Sequence, residues 1–329
     1  MSDATPDARE RGAPPHREVA KDSPVARHRN DAAGIEPPLA GGSPLVDVHA
    51  HFLHAGCGRA NWRDVNAARM RAGARIGITC HVGSILGSFG HSSPTYFAST
   101  ADVVRGNDEM LAIEAVEEGR VRSYVHVNPN EGERALREVE RCVERGAIGV
   151  KLSASRRADD AVVDPIADEA GRRGLPVLHH IWQWRRHEWG GQEASDGVEL
   201  ARLAARHPQT NFILAHIGGG GDYAHSYPAV RELPNVYLDT SGSGVDRGML
   251  DDALAAVGAA RIVWGCDLTI CTGLAKLRAL EVIGLSADEL AMIRWRNAAR
   301  IFPRASFDVS APAPSAAAHA PLAPAETSR

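Results

Sequence analysis

Four apolar runs in this chain end on residues of the kind that bind metal ions. They are Pro44-Leu45-Val46-Asp47-Val48-His49-Ala50-His51, Leu175-Pro176-Val177-Leu178-His179-His180, Asn211-Phe212-Ile213-Leu214-Ala215-His216 and Arg261-Ile262-Val263-Trp264-Gly265-Cys266-Asp267. A short, nearly continuous apolar run fits a strand buried on both faces, as a parallel sheet requires. Residues two apart on a strand share a face, so His49 and His51 at a strand end point the same way and suit one ion. Alone, the pair also fits a wet loop with two exposed histidines. Four runs with ligand-type residues at the same end describe a site.

Similar runs recur along the chain. Strand-like segments span about 45–49, 75–81, 121–127, 147–152, 175–180, 211–216, 235–240 and 261–266, which makes eight strands. Helical patterns fill the gaps at 101–118, 131–145, 165–173, 197–206, 222–232, 246–257 and 274–282, with a further helix at 287–299. This alternation predicts an α/β fold with a parallel sheet, and eight strands within about 260 residues favour a closed (β/α)8 TIM-type barrel. A doubly wound open sheet is the competing architecture. Against it, no GxGxxG follows the first strand, and the ligand candidates sit at strand C-terminal ends, where barrel enzymes assemble their sites.

Composition sets the boundaries. Residues 1–43 mix Arg, Asp, Pro, Gly and Ala with few large apolar side chains, and residues 305–329 are rich in Ala, Pro and Ser. Such segments bury too little to offset the entropy of ordering, so disordered tails are expected around one domain at 44–304. With 37 basic and 41 acidic side chains, the formal charge of -4 gives no reason to expect nucleic acid or an anionic membrane as partner. No apolar stretch approaches the roughly 20 residues needed to span a bilayer, and the N-terminus shows no signal-peptide apolar region, so a cytoplasmic location is expected. Five cysteines without a CxxC pair favour neither a disulfide framework nor a Cys-rich zinc site.

The Asp47-Val48-His49-Ala50-His51 opening, Gly149-Val150-Lys151-Leu152, the strand ending in His179-His180, Ala215-His216-Ile217-Gly218-Gly219-Gly220, Trp264-Gly265-Cys266-Asp267 and the terminal Arg296-Asn297-Ala298-Ala299-Arg300-Ile301-Phe302 occur in this order. Together they resemble the amidohydrolase superfamily, in its amidohydrolase-related (amidohydrolase 2) branch, over about residues 45–303. The resemblance implies that His49, His51, His180 and Asp267 bind a divalent metal, usually zinc, and that His216 either helps bind it or positions the attacking water. The choice of His180 over His179 also rests on the resemblance, because the family places its histidine four residues after the Pro of this strand. Lys151 is a fork: a carboxylated lysine bridging two ions, or an unmodified lysine that contacts substrate, with one ion the expectation.

The chemistry agrees with these assignments. Neutral imidazoles and one carboxylate suit Zn²⁺, and an open coordination position lowers the pKa of bound water to about 7. Asp267 would take the proton as the water attacks and pass it to the leaving group, while His216 orients the water or stabilises the oxyanion.

Other residues carry two readings each. His81 and His126 close expected strands and either touch substrate or are hydrogen-bonded structural histidines; His54, His91, His187 and His225 fall in loops and are expected to be exposed, with lining of the entrance the alternative for His54 and His91. Asp47 reads as a helper in the strand-one turn, and Asp239 either faces substrate or caps a turn. The 83–97 loop, with its glycines and aromatics, reads as a lid. In the loop after His180, Trp182, Trp184 and Arg185 suit a ring and a carboxylate, by stacking and bidentate hydrogen bonds, or else they pack the barrel rim or a contact in a homo-oligomer. The glycines at 218–221 fit an anion-binding turn and a plain tight turn equally.

The function expected from these readings is a metal-dependent hydrolase cleaving a C–N or C–O bond of a small amide, lactone or ester. The alternative is a metal-dependent non-oxidative decarboxylase of a ring carboxylic acid. Several decarboxylases of this branch carry Glu in place of the first strand-one histidine, so His49 tilts the reading toward hydrolysis. A non-catalytic barrel would require five ligand-type residues at matching strand ends to be incidental.

Overall fold

The computed structural model describes residues 43–86, 97–181, 191–217, 223–242, 247–267 and 273–307. The N-terminal tail through residue 42, the C-terminal tail from 308, the centre of the 83–97 loop, Trp182, Trp184, Arg185 and Gly218 to Gly221 lie outside the described residues.

Eight strands run parallel in chain order: β1 (Val46–His51), β2 (Cys80–Ser84), β3 (Val121–His126), β4 (Gly149–Leu152), β5 (Val177–His179), β6 (Phe212–Leu214), β7 (Val236–Asp239) and β8 (Ile262–Val263). Two backbone bonds carry the end of β8 back to β1, Val48 N–H to Trp264 O at 3.0 Å and Asp267 N–H to His49 O at 2.8 Å. The expected barrel is therefore the observed one. Around it lie α1 (Trp62–Arg75), α2 (Thr100–Val116), α3 (Glu133–Glu144), α4 (Asp164–Arg173), α5 (Gly197–Arg206), α6 (Tyr223–Val230), α7 (Arg247–Val257) and α8 (Gly273–Val282). Two short helices follow, α9 (Ala287–Ala291) and α10 (Asn297–Ile301). No helix among the described residues is long and apolar enough to cross a membrane.

Strand alternation sorts side chains into two layers. Val46, Cys80, Tyr124, Leu178, Ile213, Tyr237 and Val263 point inward and pack with Ile301 and Phe302, which plug the floor from α10. Val125, Val150, Val177, Phe212, Leu238 and Ile262 point outward and bury against the helices. Phe307 joins the floor cluster with its ring 6.0 Å from Phe302, so ordered packing continues past residue 304.

Three departures from the sequence reading have local causes. The α1 helix, absent from the expected elements, buries only Trp62, Asn66, Met70 and Gly73; a stripe with two small or polar members gives little hydrophobic periodicity. The second strand begins where it was expected to end, at Cys80 rather than 75, because the preceding residues belong to α1 and its exit. The single helix expected at 287–299 is instead α9, a π-turn over Met292–Arg296 and α10. That wider turn leaves Ile293 O to accept from Trp264 N–H at 3.0 Å, which fixes the end of β8.

Candidate metal centre

At the C-terminal ends of the strands the inward positions change from apolar to ionisable. The β1–β2 register shifts between Asp47 and Ala50, as at a β-bulge. This shift resets the alternation: Val46 and Val48 face the floor cluster, Ala50 packs outside with Phe52 and Met70, and His49 and His51 both enter the mouth. On β6 and just past it, Ile213 and Ala215 already point inward, and a left-handed backbone at His216 (φ 66°) brings its imidazole inward as well. Asp267 is also left-handed (φ 51°). Positive φ at non-glycine residues is strained and concentrates at functional sites.

The side chains form a continuous cluster. His49 Nε2 lies 3.2 Å from His51 Nε2 and 3.1 Å from Lys151 Nζ, and His216 Nε2 lies 2.8 Å from His180 Nδ1. Asp267 Oδ1 is 3.5 Å from His51 Nε2, and its Oδ2 is 3.7 Å from His216 Nδ1. One donor atom each from His49, His216 and Asp267 lie within 4.8 Å of one another. The sequence reading gave His216 to water or metal and placed His180 on the metal; among the described residues His216 shares a set with His49 and Asp267, and His180 touches His216.

Supporting groups fix the donors. His49 Nδ1 pairs with Asp239 Oδ2 at 2.6 Å, so its N–H goes to the carboxylate and the Nε2 lone pair faces the cluster. Ser241 sits 3.1 Å from the same Nδ1 and 3.0 Å from His216 Nδ1. Ser84 holds His51 Nδ1 at 2.9 Å, and Arg69 of α1 donates to the His51 carbonyl at 2.8 Å. Gly265 has a steric reason: a Cβ there would lie 2.1 Å from Asp239 Oδ1 and 3.0 Å from His49 Cβ.

Burial sets the charge states. It drives His49, His51, His180 and His216 well below the ordinary histidine value, with neighbouring Lys151 and other imidazoles adding to the effect. They are neutral lone-pair donors at pH 7, the form a metal binds. Burial also raises the Asp267 carboxyl to about 7, opposed by Lys151 and Lys276, and lowers the Lys151 ammonium to about 8, opposed by Asp267 and Asp239. Asp267 Oδ1 is buried with no hydrogen-bond partner, an arrangement that costs free energy unless a cation meets it. Neutral imidazoles, an orphaned carboxylate oxygen and a pre-oriented Nε2 together fit a divalent metal ion.

For the remaining histidines the structure separates the two readings. His81 does not reach the mouth. Because β2 starts at Cys80, His81 stands at the strand's beginning and points outward, its Nδ1 2.9 Å from Asp47 Oδ2 and its Nε2 against Gly73 of α1, where an added Cβ would lie 2.5 Å away. Ser84, at the end of β2, stands at the mouth instead. His126 is fully buried, its Nε2 2.9 Å from Ser153 Oγ, and burial lowers it to about 3. His179 is buried with Nδ1 2.9 Å from the His180 carbonyl. His54 was expected to be exposed but is 1 % exposed, its Nδ1 accepting from Gly56 N–H; His225 is exposed, near Asp196. The sequence reading missed Ser84, Ser241, Arg69 and Lys276. A serine two residues after Asp239 was the one local signal for Ser241.

A nearly closed barrel with imidazoles, a carboxylate and a lysine converging at its mouth frames the candidate metal centre. The amidohydrolase family model matches residues 46–304, and the chain belongs to that family. No curated protein sequence matches it. Among solved structures, 2,6-dihydroxybenzoate decarboxylase from Rhizobium aligns with TM-score 0.63 at 18% identity, covering 79% of this chain and 99% of its own. A dihydroxybenzoic acid decarboxylase from Polaromonas sp. JS666, with bound manganese and the inhibitor 2-nitroresorcinol, aligns at 0.61 and 20% identity over 79% and 97%. The 5-carboxyvanillate decarboxylase of Sphingomonas paucimobilis aligns at 0.59 and 17% over 79% and 99%. Likeness at such identity speaks to the fold.

Proposed function

We propose that this enzyme is a metal-dependent, non-oxidative decarboxylase of a small ring carboxylic acid. The observation that carries the reading is the buried cluster at the mouth, where Asp267 Oδ1 lies without a hydrogen-bond partner 3.5 Å from His51 Nε2 and Lys151 Nζ stands 3.1 Å from His49 Nε2. In such a reaction the bond between ring carbon and carboxylate breaks, its electron pair stays on the ring, a proton takes the vacated position, and CO₂ leaves. A carboxylate at the ion's edge is placed to relay that proton between solvent and the ring carbon. The two buried lysines, Lys151 and Lys276, supply positive potential for an anionic substrate. His49, His51, His180, His216 and Asp267 are the residues that would hold the ion; when bound it supplies Lewis-acid polarisation and orients substrate oxygens. The neighbouring structures named for ring-carboxylate decarboxylation lend support, which reverses the order given by the sequence. One of those neighbours carries manganese, so Mn²⁺ joins Zn²⁺ as a candidate ion.

Hydrolysis is the second reading, favoured by His49. With His-x-His intact and both imidazoles turned into the mouth, Asp267 would take a proton from water rather than give one to carbon. The deciding experiment supplies Mn²⁺ or Zn²⁺ and screens hydroxybenzoates and carboxylated methoxyphenols against amides, lactones and esters, in D₂O. Release of CO₂ with one deuteron at the ring position that lost it supports decarboxylation. Turnover of lactones, esters or amides without CO₂ release from any ring carboxylate would overturn it.

A further inference from the structure

We propose that Asp47 is a positioning residue of the metal centre: it clamps the bulged β1 to the end of β8 and so turns His49 and Asp267 into the mouth. The inference rests on the metal-centre reading. At the bulge, the regular ladder between neighbouring strands is interrupted, and two backbone N–H groups need another acceptor. A single carboxylate oxygen serves both. Asp47 Oδ1 accepts from its own strand's His49 N–H at 3.1 Å and from Cys266 N–H, across the barrel seam, at 3.0 Å.

The second oxygen is held from behind. Asp47 Oδ2 accepts from His81 Nδ1 at 2.9 Å and from Cys266 Sγ at 3.2 Å, so neither oxygen faces the metal donors. His81 is wedged against Gly73, where no side chain fits, which ties the clamp to α1. Both amides that Asp47 captures sit next to functional donors: one belongs to His49, the other to the residue before Asp267. The His49 carbonyl accepts from Asp267 N–H at 2.8 Å, which completes a ring of contacts from Asp47 through both strands. Asp47 is fully buried, so this arrangement is sheltered from water. Its carboxylate touches no donor atom of the metal set; it acts through the backbone that carries them.

The test uses Co²⁺ as probe, following its visible absorption and dissociation constant together with thermal unfolding. Asp47→Ala is expected to weaken Co²⁺ binding by about 10- to 100-fold and to alter the band shape. Asp47→Asn keeps an Oδ1 that can accept from both amides but turns an N–H toward His81 and Cys266, and is expected to lose less Co²⁺ affinity than Asp47→Ala. Met70→Ala, in the outer layer, controls for lost stability: it is expected to lower the unfolding temperature and leave Co²⁺ affinity unchanged. Should Asp47→Ala fail to fold, Asp47→Ser takes its place, because its short side chain reaches the His49 amide but not across the seam. Native affinity and spectrum in Asp47→Ala or Asp47→Ser, or equal losses in Asp47→Asn and Asp47→Ala, would overturn the proposal. A native protein that binds no Co²⁺ would instead defeat the metal-centre reading on which it depends.

Discussion

At the floor of the barrel, Tyr124, Leu178, Ile213 and Val263 follow strand alternation and meet Phe302; at the mouth of the same tube, His49, His216, Asp267 and Lys151 fill the equivalent interior. The floor needs only regular strands, since apolar side chains gain from any dry, well-packed geometry. The mouth gathers groups that burial penalises, and it does so with irregular backbone: a bulge in β1 and left-handed residues at His216 and Asp267. Stability and chemistry are thus assigned to opposite ends of one layer of side chains, and the strain lies at the chemical end.

Substitutions at the two ends separate these roles. Asp267→Asn is expected to lower turnover by about 10²–10⁴-fold with near-native unfolding, checked by initial rates and urea titration. Phe302→Ala should do the opposite, costing about 3–5 kcal/mol in urea unfolding while the folded protein keeps its metal affinity. Between these lies Asp239→Asn, which removes the charged partner of His49 Nδ1; metal affinity is expected to fall about 10–100-fold by competition titration.

Acidification offers a smaller, graded probe of the same contrast. Burial holds His126 at about 3 and His179 at about 4 and lowers the four cluster histidines, so the metal-free folded state binds fewer protons than the unfolded chain below the ordinary histidine value of about 6.5. Their contribution is fully present above that pH and is lost as pH falls toward the lowered values. Asp267, raised to about 7, and Asp239, also raised by burial, act in the opposite sense, but they are two groups against six. Unfolding free energy of metal-free protein is expected to fall by at least about 1 kcal/mol per pH unit just below pH 6.5. A flat profile from pH 7 to 5.5 would contradict the buried, neutral imidazoles.

The floor was readable from sequence, because apolar runs of strand length announce parallel strands, and the ligands at their ends announced the mouth. What stayed hidden depended on register. Asp239 acquires its role only when β7 comes beside the barrel closure and meets His49, 190 positions away. His81 looked like the end of a strand because Arg75 to Thr79 seemed to precede it as strand, whereas Arg75 ends α1 and β2 runs on to Ser84. The bulge that lets His49 and His51 follow Val48 inward has no local sequence mark other than Asp47, whose partners include Cys266, 219 positions later.

The central claim is a divalent metal centre at the mouth, and the most direct measurement is metal content per chain after loading with Mn²⁺ or Zn²⁺ and removing loosely held ions. The account predicts about one tightly held equivalent in the native protein, lost on His49→Ala and on Asp267→Asn and retained on Phe302→Ala. A native protein that holds no ion, or variants at His49 and Asp267 that hold it as firmly as the native chain, would contradict it.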